Sequence, residues 1–137
     1  PSADVTVENQ HQQAYELTAY VVADPIGAGN VSFRATNASG VRTTVEQLEL
    51  ATGGYFSNVT LTRDWNTTVT EISVPANQTT KVTLDSWESG DAIVYTVATP
   101  SGRLVRTEYD ECSRSTVQSR FVFSGGPDNG YHMTCTE

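Results

Sequence analysis

The run from Thr79 to Cys112, TTKVTLDSWESGDAIVYTVATPSGRLVRTEYDEC, constrains the fold more than any other part of the chain. Val82 and Leu84 alternate with polar residues, Glu88-Ser89-Gly90-Asp91 breaks the pattern as a turn, and Ile93, Tyr95 and Val97 form a second apolar row. Apolar residues at every second position turn one face of an extended strand toward a core and leave the other to solvent. Pro100-Ser101-Gly102 then reverses the chain, with Pro presetting φ for the first central position of a tight turn and Gly accepting the positive φ that follows. This predicts that Leu104–Tyr109 returns antiparallel beside Ala92–Thr99. The run reads as a β-meander with Trp87 in its core.

Short strands continue on both sides of it. Asp4–Glu8 places Val5 and Val7 on one face, and the polar break Asn9–Gln13 sets it apart. Ala14–Ala23 carries Tyr15, Leu17, Ala19 and Val21 in one row before the loop Asp24–Gly29. Val31, Phe33 and Ala35 form the next strand, and Asn37–Gly40 turns the chain. Over Val41–Leu50 the apolar residues switch from odd to even positions, which a bulge near Glu46-Gln47 absorbs; a short helix is the alternative. With Tyr55–Thr62, Ile72–Val74, Val117–Phe123 and Tyr131–Thr136 the count reaches roughly ten short strands at regular spacing. The pattern predicts an all-β fold, an antiparallel β-sandwich. Two parts are expected: residues 1–13 as an N-terminal strand and hinge, and residues 14–137 as a single β-sandwich domain, large enough to bury a core without metals.

Charge and cysteine usage bear on location and partners. Sixteen acidic residues against eight basic ones give a net charge of −8, and Lys81 is the only lysine. Such a surface repels nucleic acid, and no apolar run reaches the length of a membrane span, so neither nucleic-acid binding nor membrane insertion is expected. The opening Pro1-Ser2-Ala3-Asp4 lacks a charged-plus-apolar signal, as a mature chain would. An acidic, lysine-poor, threonine-rich composition fits a halophilic organism, where salt screens repulsion over a few Å; an ordinary acidic extracellular domain is the alternative. Cys112 and Cys135 have no metal-ligand spacing, and a disulfide between them is expected to contribute roughly 3 kcal/mol by loop closure. Five glycosylation sequons begin at Asn30, Asn37, Asn58, Asn66 and Asn77, more than the roughly one or two that this composition yields by chance. These features predict an extracellular or cell-surface glycoprotein.

No catalytic residue set emerges. His11 and His132 are the only histidines, no Gly-X-Ser-X-Gly elbow is present, and most acids sit in turns or alternate positions where solvation explains them. No enzyme activity, cofactor or metal site is expected. Asp85, Glu88 and Asp91 around Trp87, or Asp128-Asn129, are the best calcium candidates, but their spacing matches no EF-hand loop. Trp65 and Trp87, with Tyr55, Tyr109 and Tyr131, are the candidates for sugar stacking; Trp87, between two in-phase strands, fits the core better and leaves Trp65 as the one to test.

The run Val74-Pro-Ala-Asn-Gln-Thr-Thr-Lys-Val-Thr-Leu84, then Trp87 and Ser89-Gly90-Asp91 before Val94-Tyr95, resembles the late strands of Ig-like domains in secreted and cell-surface proteins of halophilic archaea. Val5-Thr-Val-Glu-Asn9 resembles their first strand. The resemblance implies an Ig-like β-sandwich at the cell surface and carries no catalytic content. Such proteins include subunits of extracellular filaments in which one subunit's N-terminal strand completes its neighbour's sandwich, a form of strand addition. On that model Asp4, Val5, Thr6, Val7 and Glu8 are the subunit contact and the chain self-associates into a homopolymer, the non-enzymatic structural subunit of a surface filament or surface layer. An ordinary edge strand is the alternative for these five residues, and a glycan- or calcium-binding module is the alternative function.

Overall fold

The computed structural model describes residues 1–23, 32–45, 56–62, 67–125 and 130–137. Among them are eleven strands: β1 (Ser2–Asn9), β2 (Tyr15–Val22), β3 (Phe33–Thr36), β4 (Arg42–Val45), β5 (Ser57–Leu61), β6 (Thr67–Val74), β7 (Gln78–Thr83), β8 (Ala92–Ala98), β9 (Leu104–Glu111), β10 (Thr116–Phe123) and β11 (Tyr131–Thr136). They form a first sheet in the order β11-β10-β1-β7, a second in the order β6-β2-β8-β9 and a third in the order β4-β3-β5. The fold is all-β, and its first two sheets make the sandwich. The bulge expected near Glu46-Gln47 and the loop Asp24–Gly29 lie outside the described residues.

The alternation read from the sequence builds the main core. Ala3, Val5 and Val7 from β1, with Val117, Phe121 and Phe123 from β10, face Leu17, Ala19, Val21, Ile93, Tyr95 and Val97 of the second sheet. Burial of these apolar side chains contributes roughly 1.5–3 kcal/mol for each large one. A second apolar layer has a different cause. β2 and β8 are apolar on both faces, and Tyr20, Val22, Ala92 and Val94 on their outer side are covered by Phe33, Phe56, Val59 and Leu61 of the third sheet and its flank. A strand with both faces buried reads as a near-continuous apolar run, as Ala92–Val97 does.

The Thr79–Cys112 run is not a meander. β8 and β9 pair as the antiparallel hairpin expected, but β7 belongs to the first sheet and β8 to the second. The segment between them crosses the sandwich. Trp87 plugs this crossing, buried, with its indole Nε1–H donating to the carbonyl of Asp91 at 3.1 Å, while Gly90 N–H donates to Cys112 O at 2.7 Å. Two apolar rows separated by eight residues satisfy facing sheets as readily as one, and alternation alone does not distinguish the two arrangements.

The hairpin turn also differs by one position. Gly102 N–H donates to Thr99 O at 2.9 Å, so Gly102 is the fourth residue of the turn, and it holds a φ of +96° as the bulge residue. A β-carbon there would stand 3.2 Å from Asn58 Oδ1, a second reason for glycine.

β1 lies inside the first sheet. It pairs in parallel with β10, from Ser2–Thr116 to Asn9–Phe123, and antiparallel with β7, from Asp4–Thr83 to Asn9–Gln78. Asp4, Val5, Thr6, Val7 and Glu8 are thus paired on both sides within their own chain, neither free nor on an edge. Residues 1–13 and the rest of the chain share one core.

Candidate functional site

Among the described residues, a cluster of polar and charged side chains closes one flank of the sandwich, at the edge strands β9 and β11. Period-2 alternation points Arg106, Glu108 and Asp110 of β9 inward, in phase with Cys112. From the opposite sheet Ser119 of β10 and Tyr131 of β11 meet them. Tyr95 OH donates to Ser119 Oγ at 3.0 Å, Ser119 Oγ donates to Asp110 Oδ2 at 3.2 Å, and Tyr131 OH donates to the same Oδ2. One carboxylate oxygen is therefore shared by two hydroxyl donors, a charge-assisted arrangement that ties four strands together.

Arg106 completes the flank. Its Nη2 pairs with Glu108 Oε1 at 2.6 Å, and its guanidinium carbon lies 6.0 Å from the Phe121 ring centroid and 5.9 Å from that of Tyr131. The cation thus rests on aromatic faces with its charge balanced, which partial burial requires. Inward charges also keep an edge strand from pairing with foreign chains.

Burial pushes the Asp110 carboxyl above its ordinary range; the Tyr131 and Ser119 donors pull it back, and the nearby Glu108 carboxylate adds to the rise. Burial likewise raises Tyr131, and the adjacent Asp110 charge raises it further. The sign follows from linkage. From about pH 4, where an unfolded aspartate titrates, up to the raised value in the fold, the native state holds the extra proton, so this group's contribution is full below about pH 4 and falls as pH rises. Asp110→Asn is neutral throughout. The melting temperature of the unsubstituted protein relative to Asp110→Asn is expected to be most favourable below pH 4 and to decline through the window above it. Thermal melts of both from pH 3 to 8 in molar salt check this, and a difference independent of pH refutes it.

The disulfide stands at the end of the same row. Cys112, just after β9, is bonded to Cys135 of β11 with Cα atoms 5.8 Å apart, stapling the second sheet to the first. In the chain-entropy model a loop of this span contributes roughly 3 kcal/mol.

The family model described as Halobacterial Ig domain protein matches residues 1–137. The chain belongs to this family. No curated protein and no solved structure matches it significantly.

Within this halobacterial Ig domain the other candidates scatter. His11 Nδ1 lies 2.9 Å from Tyr15 OH, while His132 is exposed on β11, its side chain on the face opposite Tyr131. Asp91 Oδ2 accepts the Glu88 N–H at 2.9 Å, which commits that carboxylate to its turn, and Asp85 and Glu88 are exposed. Among the described residues, no three His, Cys, Asp or Glu side chains gather as a metal would need. Trp65, Tyr55 and Asp128-Asn129 lie outside the described residues, as do Asn30 and Asn66. Asn58 and Asn77 are exposed, and Asn37 is half-buried at a turn. No helix among the described residues is long and apolar enough to cross a membrane.

The Asp110 cluster is the element that sequence reasoning missed. The available signal was phase: Arg106, Glu108 and Asp110 share the parity of Cys112, which leads inward. Acids on an exposed strand face explain the same letters equally well until the partner sheet is known.

Proposed function

We propose that this halobacterial Ig domain is a non-enzymatic, extracellular structural module that links to further copies by exchanging its N-terminal strand. The observation that carries the reading is the slot between β10 and β7. β1 alone joins these strands, so the first sheet without it is two separate pieces flanking an apolar furrow. An identical strand from a neighbouring copy would make the same contacts, and repeated exchange generates a heterologous, propagating contact. The acidic composition and the disulfide support life in a salty, oxidising exterior. The hinge holds a cost: Asn9 Nδ2 donates to Gln13 O at 2.8 Å and to Pro75 O at 3.1 Å, which favours closure onto the own chain at low concentration.

Thiol crosslinking decides between own and neighbouring strand. Thr6 and Lys81 are register partners across β1 and β7, with Lys81 exposed. A Thr6→Cys, Lys81→Cys protein, concentrated in molar salt and treated with a short bifunctional thiol reagent, is expected to give a ladder of covalent oligomers. Crosslinks confined to single chains at every concentration would remove strand exchange as the means of assembly.

A further inference from the structure

The strand register separates the molecule into two unlike poles. At one, Ser2 stands beside Thr116 and Thr116 beside Thr136, with the Cys112–Cys135 disulfide and the Trp87 crossing close by. At the other are the turn Thr99–Gly102, the hinge after Asn9 and the turn leading into β7. All three sequon asparagines among the described residues belong to this second pole. Asn77 N–H donates to His11 O at 3.2 Å, Asn58 N–H donates to Gly102 O at 3.2 Å, and Asn37 follows Thr36, the register partner of Ser57.

Backbone geometry accounts for each asparagine, whereas Thr60 and Thr79 hold exposed strand positions that threonine suits but that other residues fill as well. Asn58 and Asn77 hold φ of +54° and +58°, the left-handed region that asparagine tolerates best after glycine. Asn37 Oδ1 accepts from Ser39 N–H at 3.0 Å and Val41 N–H at 2.9 Å, an Asx turn. No such demand falls on the third residues. Ser39, Thr60 and Thr79 are exposed, and among the described residues their hydroxyls make no hydrogen bond that shapes a turn. A hydroxyl two residues after the acceptor is what glycan transfer to an asparagine amide requires.

We propose that this pole is an N-glycosylated face with Asn37, Asn58 and Asn77 as its acceptors, an inference that rests on the extracellular reading. The donor is a lipid-phosphate-linked sugar. The amide nitrogen Nδ2 bonds to the anomeric carbon, the bond from that carbon to the phosphate oxygen breaks, the lipid phosphate leaves with the electron pair, and the displaced amide proton passes to a base. At Asn37 this chemistry spares Oδ1, so the turn keeps both hydrogen bonds. Asn37 and Asn58 belong to the third sheet and its turn, away from the first sheet, whereas sugar on Asn77 would stand beside the hinge at the start of β7.

The test is intact mass and peptide mapping of protein made in a halophilic archaeal host, with the cysteines alkylated before reduction. The chain is expected to exceed its polypeptide mass, with sugar on Asn37, Asn58 and Asn77. Ser39→Ala, Thr60→Ala and Thr79→Ala each lose the sugar at one site with an unchanged melting temperature, whereas Thr60→Ser and Thr79→Ser retain it. A bare polypeptide mass with the disulfide intact overturns the glycan inference alone; a bare mass with two alkylated thiols overturns the extracellular reading as well. Sugar found only on Asn30 or Asn66, or retained in the alanine variants, also overturns it.

Discussion

A chain lacking residues 1–10 is expected to show no cooperative unfolding transition of its own, and to regain one when a peptide of residues 1–10 is added. The loss is large because β1 is interior. It removes the buried side chains of Val5 and Val7, at roughly 1.5–3 kcal/mol each, and leaves two strands with unpaired backbone groups where single hydrogen bonds are worth about 0.5–1.5 kcal/mol. Together these reach the whole stability of a typical domain, about 5–15 kcal/mol. The rescue matters as much as the loss, since a peptide that restores folding shows that the slot accepts a strand not covalently part of the chain. Thermal melts in molar salt with and without peptide measure both. If the truncated chain melts cooperatively within about 5 °C of the full one, a margin of order 1 kcal/mol, β1 is dispensable and the strand-exchange mechanism fails with it.

Phe121→Ala is expected to cost about 3–5 kcal/mol, the range for deleting a buried phenylalanine. Phe121 is fully buried, with ring centroids 4.5 Å from Tyr131, 5.2 Å from Tyr95 and 6.0 Å from Phe123. Its removal does more than open a cavity. Arg106 loses one of the two rings it rests on, and Tyr95 and Tyr131, whose hydroxyls feed the Asp110 relay, lose their shared packing partner. Phe121→Leu keeps most of the volume and is expected to cost less than half as much. Denaturant titrations of the three proteins give the values. A loss below about 1 kcal/mol for the alanine variant means that the neighbouring rings collapse into the space and that the flank is not organised around this residue.

Much of the strand pattern was legible because it depends on local chemistry. Val5 and Val7, Leu17 to Val21, Ile93 to Val97 and Phe121 to Phe123 announce their inward faces by alternation, and Pro100–Gly102 announces a reversal. Whether two such strands share a sheet depends on partners far away in sequence, which is why β7 and β8 look like neighbours in a meander and lie in opposite sheets. The third sheet was hidden for a related reason. Tyr20, Val22 and Val94 mark a second buried face, but nothing near them identifies Phe33 and Leu61 as its cover. At the candidate site the cysteines stood out by composition, whereas Asp110 looks like any solvated acid until Tyr131 and Ser119 are placed across from it.

The parallel pairing of β1 with β10 has a consequence for timing. β1 leaves the ribosome more than a hundred residues before its parallel partner β10. At typical elongation rates of about 5–20 residues per second, that wait is on the order of ten seconds. For most of it β1 is an amphipathic ribbon with no sheet to join, because β7 follows it by about 70 residues and β10 by more than a hundred. Closing so long a loop is slow compared with forming the β8–β9 hairpin, whose strands are consecutive. Nascent chains growing side by side on one message would therefore expose first strands and vacant slots at overlapping times, and a brief pause in synthesis would bear on whether a chain closes on itself or captures its neighbour.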